Sequence, residues 1–246
     1  MIATNTETRQ KTEANITITS PQANETIDFP FTIKGQARVF ESTLNIRLKD
    51  YKGNILFETY TTAAAPDAGQ FGPYEKMIDY LEKLPEGEGV VLEAFDYSAK
   101  DGSIIDLVSV PIKLNISKTS AVKLYFNNAK LDPQVLCDKV FSVERIIATT
   151  STPATATVNL LLRGTTASEY AKGYQTNINM GVKLQKLTIE NNTAYADFDD
   201  QLESAVGGSC RVATIRAQIT ETLKQFFTVK KAVISIDDRT EDILQP

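Results

Sequence analysis

Apolar and polar residues alternate at strand period in short runs between residues 16 and 114, and a helical period appears only beyond residue 150. Ile16 and Ile18 alternate with Thr17 and Thr19 until Pro21 breaks the run. Residues 29–40 read as a strand interrupted at Gly35, where a bulge or a close approach of two backbones is expected. Leu44, Ile46 and Leu48 point one way and Asn45, Arg47 and Lys49 the other, and a turn around Gly53 sends the chain back along 55–62 as a hairpin. Residues 63–73 form a loop of small residues, and 74–81 read as the next strand. Residues 90–97 and 104–114 flank Ala99-Lys100-Asp101-Gly102-Ser103, in which Asp-Gly is the strongest two-residue hairpin signal. Pro111 has no N–H to donate, so the second arm belongs at a sheet edge. About seven short strands at regular spacing predict an all-β immunoglobulin-like sandwich over 16–114.

The second half reads differently. After a polar linker at 115–120, residues 122–126 and 140–147 alternate as strands. Thr152-Pro153 then opens a helix, with a capping hydroxyl followed by Pro at the first helical position, and Gly164 closes it. Residues 165–171 add one more helical turn. Residues 183–190 and 193–198 form a hairpin across Asn191-Asn192, a pair suited to positive φ. Val212, Ile215, Ile219, Leu223 and Phe226 step by three and four, which is one apolar helix face, and a strand at 232–236 follows. The pattern predicts an α+β domain over 121–240, a mixed sheet packed with two helices.

Composition narrows the chemistry. The chain has 42% hydrophobic and 23% charged residues, ordinary for a globular protein, and no apolar run approaches the roughly 20 residues of a membrane span. Residues 1–118 carry 12 Lys+Arg against 17 Asp+Glu, and the rest has 14 of each. Nucleic acid and strongly anionic membrane surfaces are therefore not expected partners. There is no histidine, which removes the commonest general base, the commonest metal ligand and every Ser-His or Cys-His nucleophile. Cys137 and Cys210 lie in no CxxC spacing. They are either a disulfide of an exported protein, closing a loop of about 70 residues worth about 4 kcal/mol, or two buried free thiols. Residues 1–15 are polar and Thr-rich, and are expected to be a disordered tether. Such a tether remains when a secretion signal or lipoprotein leader is cut away, or it is an ordinary frayed terminus. On the first reading the protein is extracytoplasmic, at the cell surface or membrane-anchored through a lipid or signal ahead of residue 1.

Carboxylates are the remaining acid–base groups. Asp197, Asp199, Asp200 and Glu203 cluster after the second hairpin, where two facing a cleft would suit a glycosidase and several together a calcium ion. The competing role is an acidic loop with Asp197 buried or capping backbone, and Arg145 is its expected ion-pair partner. Arg38, Lys100 and Asp101 form a candidate partner surface, although Asp101 alone is the residue that shapes such a turn.

Separated blocks in the first half follow one pattern: Ser20-Pro21, Gly35 to Glu41, Thr61-Thr62-Ala63, Gly72-Pro73-Tyr74 and Ser98 to Ser103. They resemble the immunoglobulin-like Gmad2 domain of bacterial sporulation and spore germination, with Tyr74 standing where the pattern favours Phe. In the second half Leu124-Tyr125-Phe126, Val143 with Arg145, Leu161 to Thr165, Ala194 to Phe198, Gly207-Gly208-Ser209, Thr222-Leu223 and 229–236 resemble the GerMN domain. Departures are the missing Pro after Gly164 and Ala196 in place of Val. The pairing implies a non-enzymatic extracytoplasmic binding or scaffold protein of the cell envelope, linked to sporulation or germination, with an envelope protein or wall component as partner and no cofactor. The alternatives are a carboxylate enzyme acting on cell-wall polymer and a small-ligand protein using an interdomain cleft.

Overall fold

A computed structural model of the chain describes residues 14–87, 89–134 and 136–245. The chain divides into two compact units, Met1–Ile78 with Pro85–Asn115, and Asp79–Leu84 with Ile116–Pro246.

The strands of the first unit are β1 (Ile16–Ser20), β2 (Thr26–Asp28), β3 (Phe31–Ala37), β4 (Thr43–Asp50), β5 (Ile55–Thr62) and β6 (Gly72–Ile78). The next strand in the chain, β7 (Tyr80–Leu81), belongs to the second unit. The first unit resumes with β8 (Gly89–Tyr97) and β9 (Ile104–Asn115). One sheet has the order β1-β3-β6 and the other β2-β9-β8-β4-β5, the sandwich its alternation predicts. Burial along β4 alternates strictly, with Leu44, Ile46 and Leu48 wholly inside. Pro111 lies in β9 just before the stretch 113–115 that pairs with β2, and on that side only its carbonyl is engaged, accepting from the Asn24 N–H at 2.7 Å. Three-residue β2 carries no readable period, and the sequence does not announce it.

Gly35 marks a close approach. A Cβ there would stand 2.0 Å from the Thr17 carbonyl oxygen and 2.5 Å from the Tyr74 ring. The Tyr74 hydroxyl donates to that same carbonyl at 2.9 Å, so the hydroxyl that Tyr adds over Phe is satisfied. Burial pushes the Tyr74 hydroxyl well above its usual range.

The continuous first domain expected over 16–114 is interrupted. Residues 74–81 do not form one strand: β6 ends at Ile78, and β7 pairs antiparallel with β11 (Phe141–Ala148) of the second unit. Asp79 is drawn away by a two-pronged ion pair with Arg163, at 2.8 and 2.7 Å. The expected tether fares similarly. Residues 1–13 lie outside the described residues, but Asn15 is bound: its carbonyl and side chain accept from Arg38 and its amide donates to Asp106.

The second unit also contains β10 (Thr119–Asn128), α1 (Pro153–Leu162), α2 (Ala167–Ala171), β12 (Tyr174–Gln175), β13 (Leu184–Glu190), β14 (Thr193–Phe198), α3 (Ser209–Lys224) and β15 (Lys231–Ile236). The class is α+β, but the strands divide between two sheets rather than one. These are antiparallel β12-β10-β11-β7 and mixed β13-β14-β15, in which β14 and β15 run parallel. The expected linker 115–120 shrinks, since β9 runs to Asn115 and β10 starts at Thr119. Asn191 and Asn192 both take positive φ, 50° and 60°, as their hairpin requires. Thr152 precedes Pro153 but makes no side-chain cap; its hydroxyl pairs with Thr150 instead.

Helix α3 buries Val212, Ile215, Ile219 and Leu223 of the stripe its period predicts, while Phe226, the fifth member, lies past the end of the helix and is half-buried. It buries a second, polar stripe as well. Gln225 brackets the backbone of Lys123, accepting from its N–H at 2.8 Å and donating to its carbonyl, and the Thr222 hydroxyl accepts from the Tyr125 N–H. These contacts satisfy backbone groups on the edge of β10 not occupied by β11. One turn earlier, Gln218 is fully buried and donates to Asn127 and to the Gln175 carbonyl.

Candidate functional site

One end of the sandwich gathers the residues singled out in the first half. Arg38, just past β3, donates through Nε and Nη2 to the Asn15 side chain and lies 4.7 Å from the centre of the Phe71 ring. Asn15 donates in turn to Asp106 at 3.1 Å. Arg38 is thus tied to the base of the hairpin that carries Lys100 and Asp101. Those two are exposed at its tip, where Asp101 accepts from both the N–H and the hydroxyl of Ser103. These bonds hold its carboxyl below the usual range. Asp101 shapes the turn, and Arg38 is committed to neighbours within its own unit.

Sequence reading missed the apolar part of this end. Phe40 is 76% exposed, and Ile104, Ile105 and Leu107 are exposed at the start of β9. Phe40 begins a short 3-10 turn in which Glu41 and Ser42 take φ of 51° and 56°. Asp106 adds a third left-handed non-glycine residue at the β9 bulge, φ 53°. Such conformations cost about 1–3 kcal/mol each and cluster at binding loops. The signal available beforehand was an aromatic in a short polar link between strands.

The acidic cluster of the second unit is divided among separate tasks. Asp197 is buried and accepts from the Ser235 hydroxyl at 2.6 Å and the Asp238 N–H at 2.9 Å. Asp199 accepts from the Lys183 N–H, and Asp200 opens a 3-10 turn. Glu203 pairs with Arg239 at 2.6 Å, which holds its carboxyl below the usual range. Among the described residues, no three His, Cys, Asp or Glu side chains gather where they could hold a cation.

Arg145 does not meet Asp197. It is 1% exposed and donates to both oxygens of Glu169, at 3.3 and 2.7 Å, and to the Gly164 carbonyl at 2.9 Å. Its guanidinium stands 4.7 Å from the centre of the Tyr80 ring. Glu169 is already the third residue of α2 and forms a capping box with Thr166, the feature that could have revealed it. Glu82 lies near this cluster. Burial, then repulsion from Glu169, pushes its carboxyl above the usual range, and its Oε1 has no hydrogen-bond partner among the described residues. A raised value in the folded state means that the native unit holds the proton more tightly. Stability is then greatest on the acid side and is lost as pH rises through the folded value. Glu82→Gln is expected to raise the melting temperature of the second unit at neutral pH, with the gain vanishing on acidification. Thermal scans across that range check this; an equal gain at every pH would contradict it.

Cys137 and Cys210 are joined as a disulfide with Cα atoms 4.9 Å apart, and the Thr214 hydroxyl donates to the Cys137 carbonyl. Beside it, Tyr125, Asp138, Val140, Ala217, Arg216 and Glu221 line an open groove of about 500 Å³. Its charges are partly answered within the unit: Arg216 donates to the Ile243 carbonyl and Glu221 accepts from Lys224. No helix among the described residues is long and apolar enough to cross a membrane.

Comparison with known proteins assigns both halves. A family model described as the immunoglobulin-like domain of bacterial spore germination (Gmad2) matches residues 15–103. A second, described as sporulation and spore germination (Germane), matches residues 123–242. Among solved structures, the tandem GerMN domains of the sporulation protein GerM from Bacillus subtilis are 20% identical at a TM-score of 0.40, covering 51% of this chain and 41% of that one. The present chain therefore spans about two fifths of that structure's length. The first GerMN domain of the same protein is 16% identical at 0.36, covering 49% and 85%. A Clostridium perfringens chain described as a candidate lipoprotein is 16% identical at 0.34, covering 52% and 82%. No curated protein matches the chain.

Proposed function

The chain is a Gmad2 domain followed by a GerMN-type domain, both of the bacterial sporulation and germination families, and from that premise we propose a non-enzymatic binding or scaffold protein of the cell envelope. The observation that carries the proposal is the sandwich end around Phe40. An aromatic ring 76% exposed on a left-handed turn, at the end of the sandwich where Ile104, Ile105 and Leu107 are also exposed, is surface suited to being covered. Arg38 holds that end together from beneath, linking the starts of β1 and β9 through Asn15. The commitment of Asp197, Asp199 and Glu203 to separate structural partners favours binding over carboxylate catalysis. The disulfide supports an extracytoplasmic location, since such bonds persist in oxidising compartments.

The test is a photo-crosslinking amino acid placed at Phe40 of the full chain in intact cells. An adduct with an envelope protein or wall component, absent when the same group is placed at exposed Lys224, is the expected result. Adducts with cytoplasmic proteins alone, or none, would overturn the proposal.

A further inference from the structure

The outward face of the five-stranded sheet has a composition that its alternation does not explain. Register places Arg47 opposite Glu58 and Glu93, and Asn45 opposite Tyr60 and Phe95. Phe95 is buried on this outer face. The Arg47 guanidinium lies 4.5 Å from the centre of its ring, and Tyr97 meets it edge-on at 5.2 Å. Arg47 is in turn held by Glu93 at 2.8 Å, with Glu58 at 3.8 Å, so its charge is answered within the face. Tyr60, 63% exposed, and Tyr97, 43% exposed, stand on either side of this floor. Strand spacing and residue rise set their Cα atoms about 12 Å apart, and the Tyr97 side chain leans across the face to bring its hydroxyl to the Glu58 carboxylate. Between them the half-buried Asn45 amide makes no hydrogen bond among the described residues.

We infer that this face binds a neutral oligosaccharide, with Tyr60 and Tyr97 stacking on sugar rings and Asn45 hydrogen-bonding the hydroxyls between them. Charge complementarity selects the class. Arg47 and Lys49 are balanced by Glu58 and Glu93, so the face offers no net charge to a nucleic acid, an anionic lipid or a charged peptide. Geometry selects it again: an added peptide strand pairs with a sheet edge, whereas these groups stand on the face. Exposed rings offer flat apolar surface with a polar rim, which matches the alternating C–H faces and hydroxyls of a sugar chain. The ligand class rests on the envelope-binding role and deepens it.

Calorimetric titration of the full chain with an N-acetylglucosamine hexamer tests the inference, with cellohexaose and a neutral peptide of similar length alongside. Saturable binding of a glycan is expected, changing less than about twofold when salt is raised to about 0.5 M. Tyr60→Ala and Tyr97→Ala should each weaken binding at least about fivefold, and Tyr60→Phe should retain it. Melting temperature, read on every variant, separates lost binding from lost folding. No saturable glycan binding, tyrosine variants that bind like the parent, steep salt dependence or tighter binding of the peptide would each overturn the inference. If glycan binding fails while the Phe40 adduct persists, the envelope role stands and only the ligand class falls.

Discussion

Arg145→Met is expected to destabilise the second unit by about 3–5 kcal/mol, among the largest effects of any single substitution in this chain. The cause is what remains rather than what is removed. Glu169 is buried, and without the guanidinium its carboxylate keeps only the Thr166 N–H while losing both Arg145 hydrogen bonds. The Gly164 carbonyl and the face of Tyr80 lose their partner as well. Adding Glu169→Gln to Arg145→Met removes the stranded charge while leaving an amide oxygen to accept from the Thr166 N–H, and should recover part of the loss. Urea unfolding of the parent, the single variant and the double variant checks both statements. A loss below about 1 kcal/mol would mean that water reaches Glu169 and that the pair is not buried as described.

Replacing both cysteines by serine, or reducing the bond, is expected to destabilise the same unit by about 4 kcal/mol. The bond spans 73 residues and closes a loop that runs from the end of the 129–136 segment through α1, α2 and the β13–β14 hairpin to the first turn of α3. Freeing it also loosens the Cys137 carbonyl that Thr214 holds. Neither cysteine lies in the first unit, so its unfolding transition should not move. Paired denaturation curves with and without reductant read both outcomes, and a shift confined to the first unit would contradict the assignment.

Elements with a strong local period were legible in advance. The alternation of Leu44, Ile46 and Leu48, the Asn191-Asn192 turn and the three-and-four spacing of α3 all carry their conformation in adjacent residues. The close approach at Gly35 was also legible, because glycine inside a strand pattern has few other uses. Partnerships were harder to read. Arg145 was expected beside Asp197 and pairs with Glu169, since an ion pair depends on which elements pack together and not on sequence distance. Arg38 and Asp101 were visible as charged groups in suggestive places, but their own neighbours occupy them. Phe40, Tyr60 and Tyr97 were passed over because an aromatic in a strand or short link looks the same whether it is buried or exposed.

By itself the sequence determined the two-module order, the fold class of each module and the apolar inner faces, because side-chain period and turn chemistry are local properties. The tertiary structure alone decided that residues 79–84 join the second unit, that the polar flank of α3 closes an edge of β10, and that Tyr60, Asn45 and Tyr97 share one outward face. Each of those depends on strand register and on backbone groups far apart in the chain finding partners, and register shows only once the strands are laid side by side.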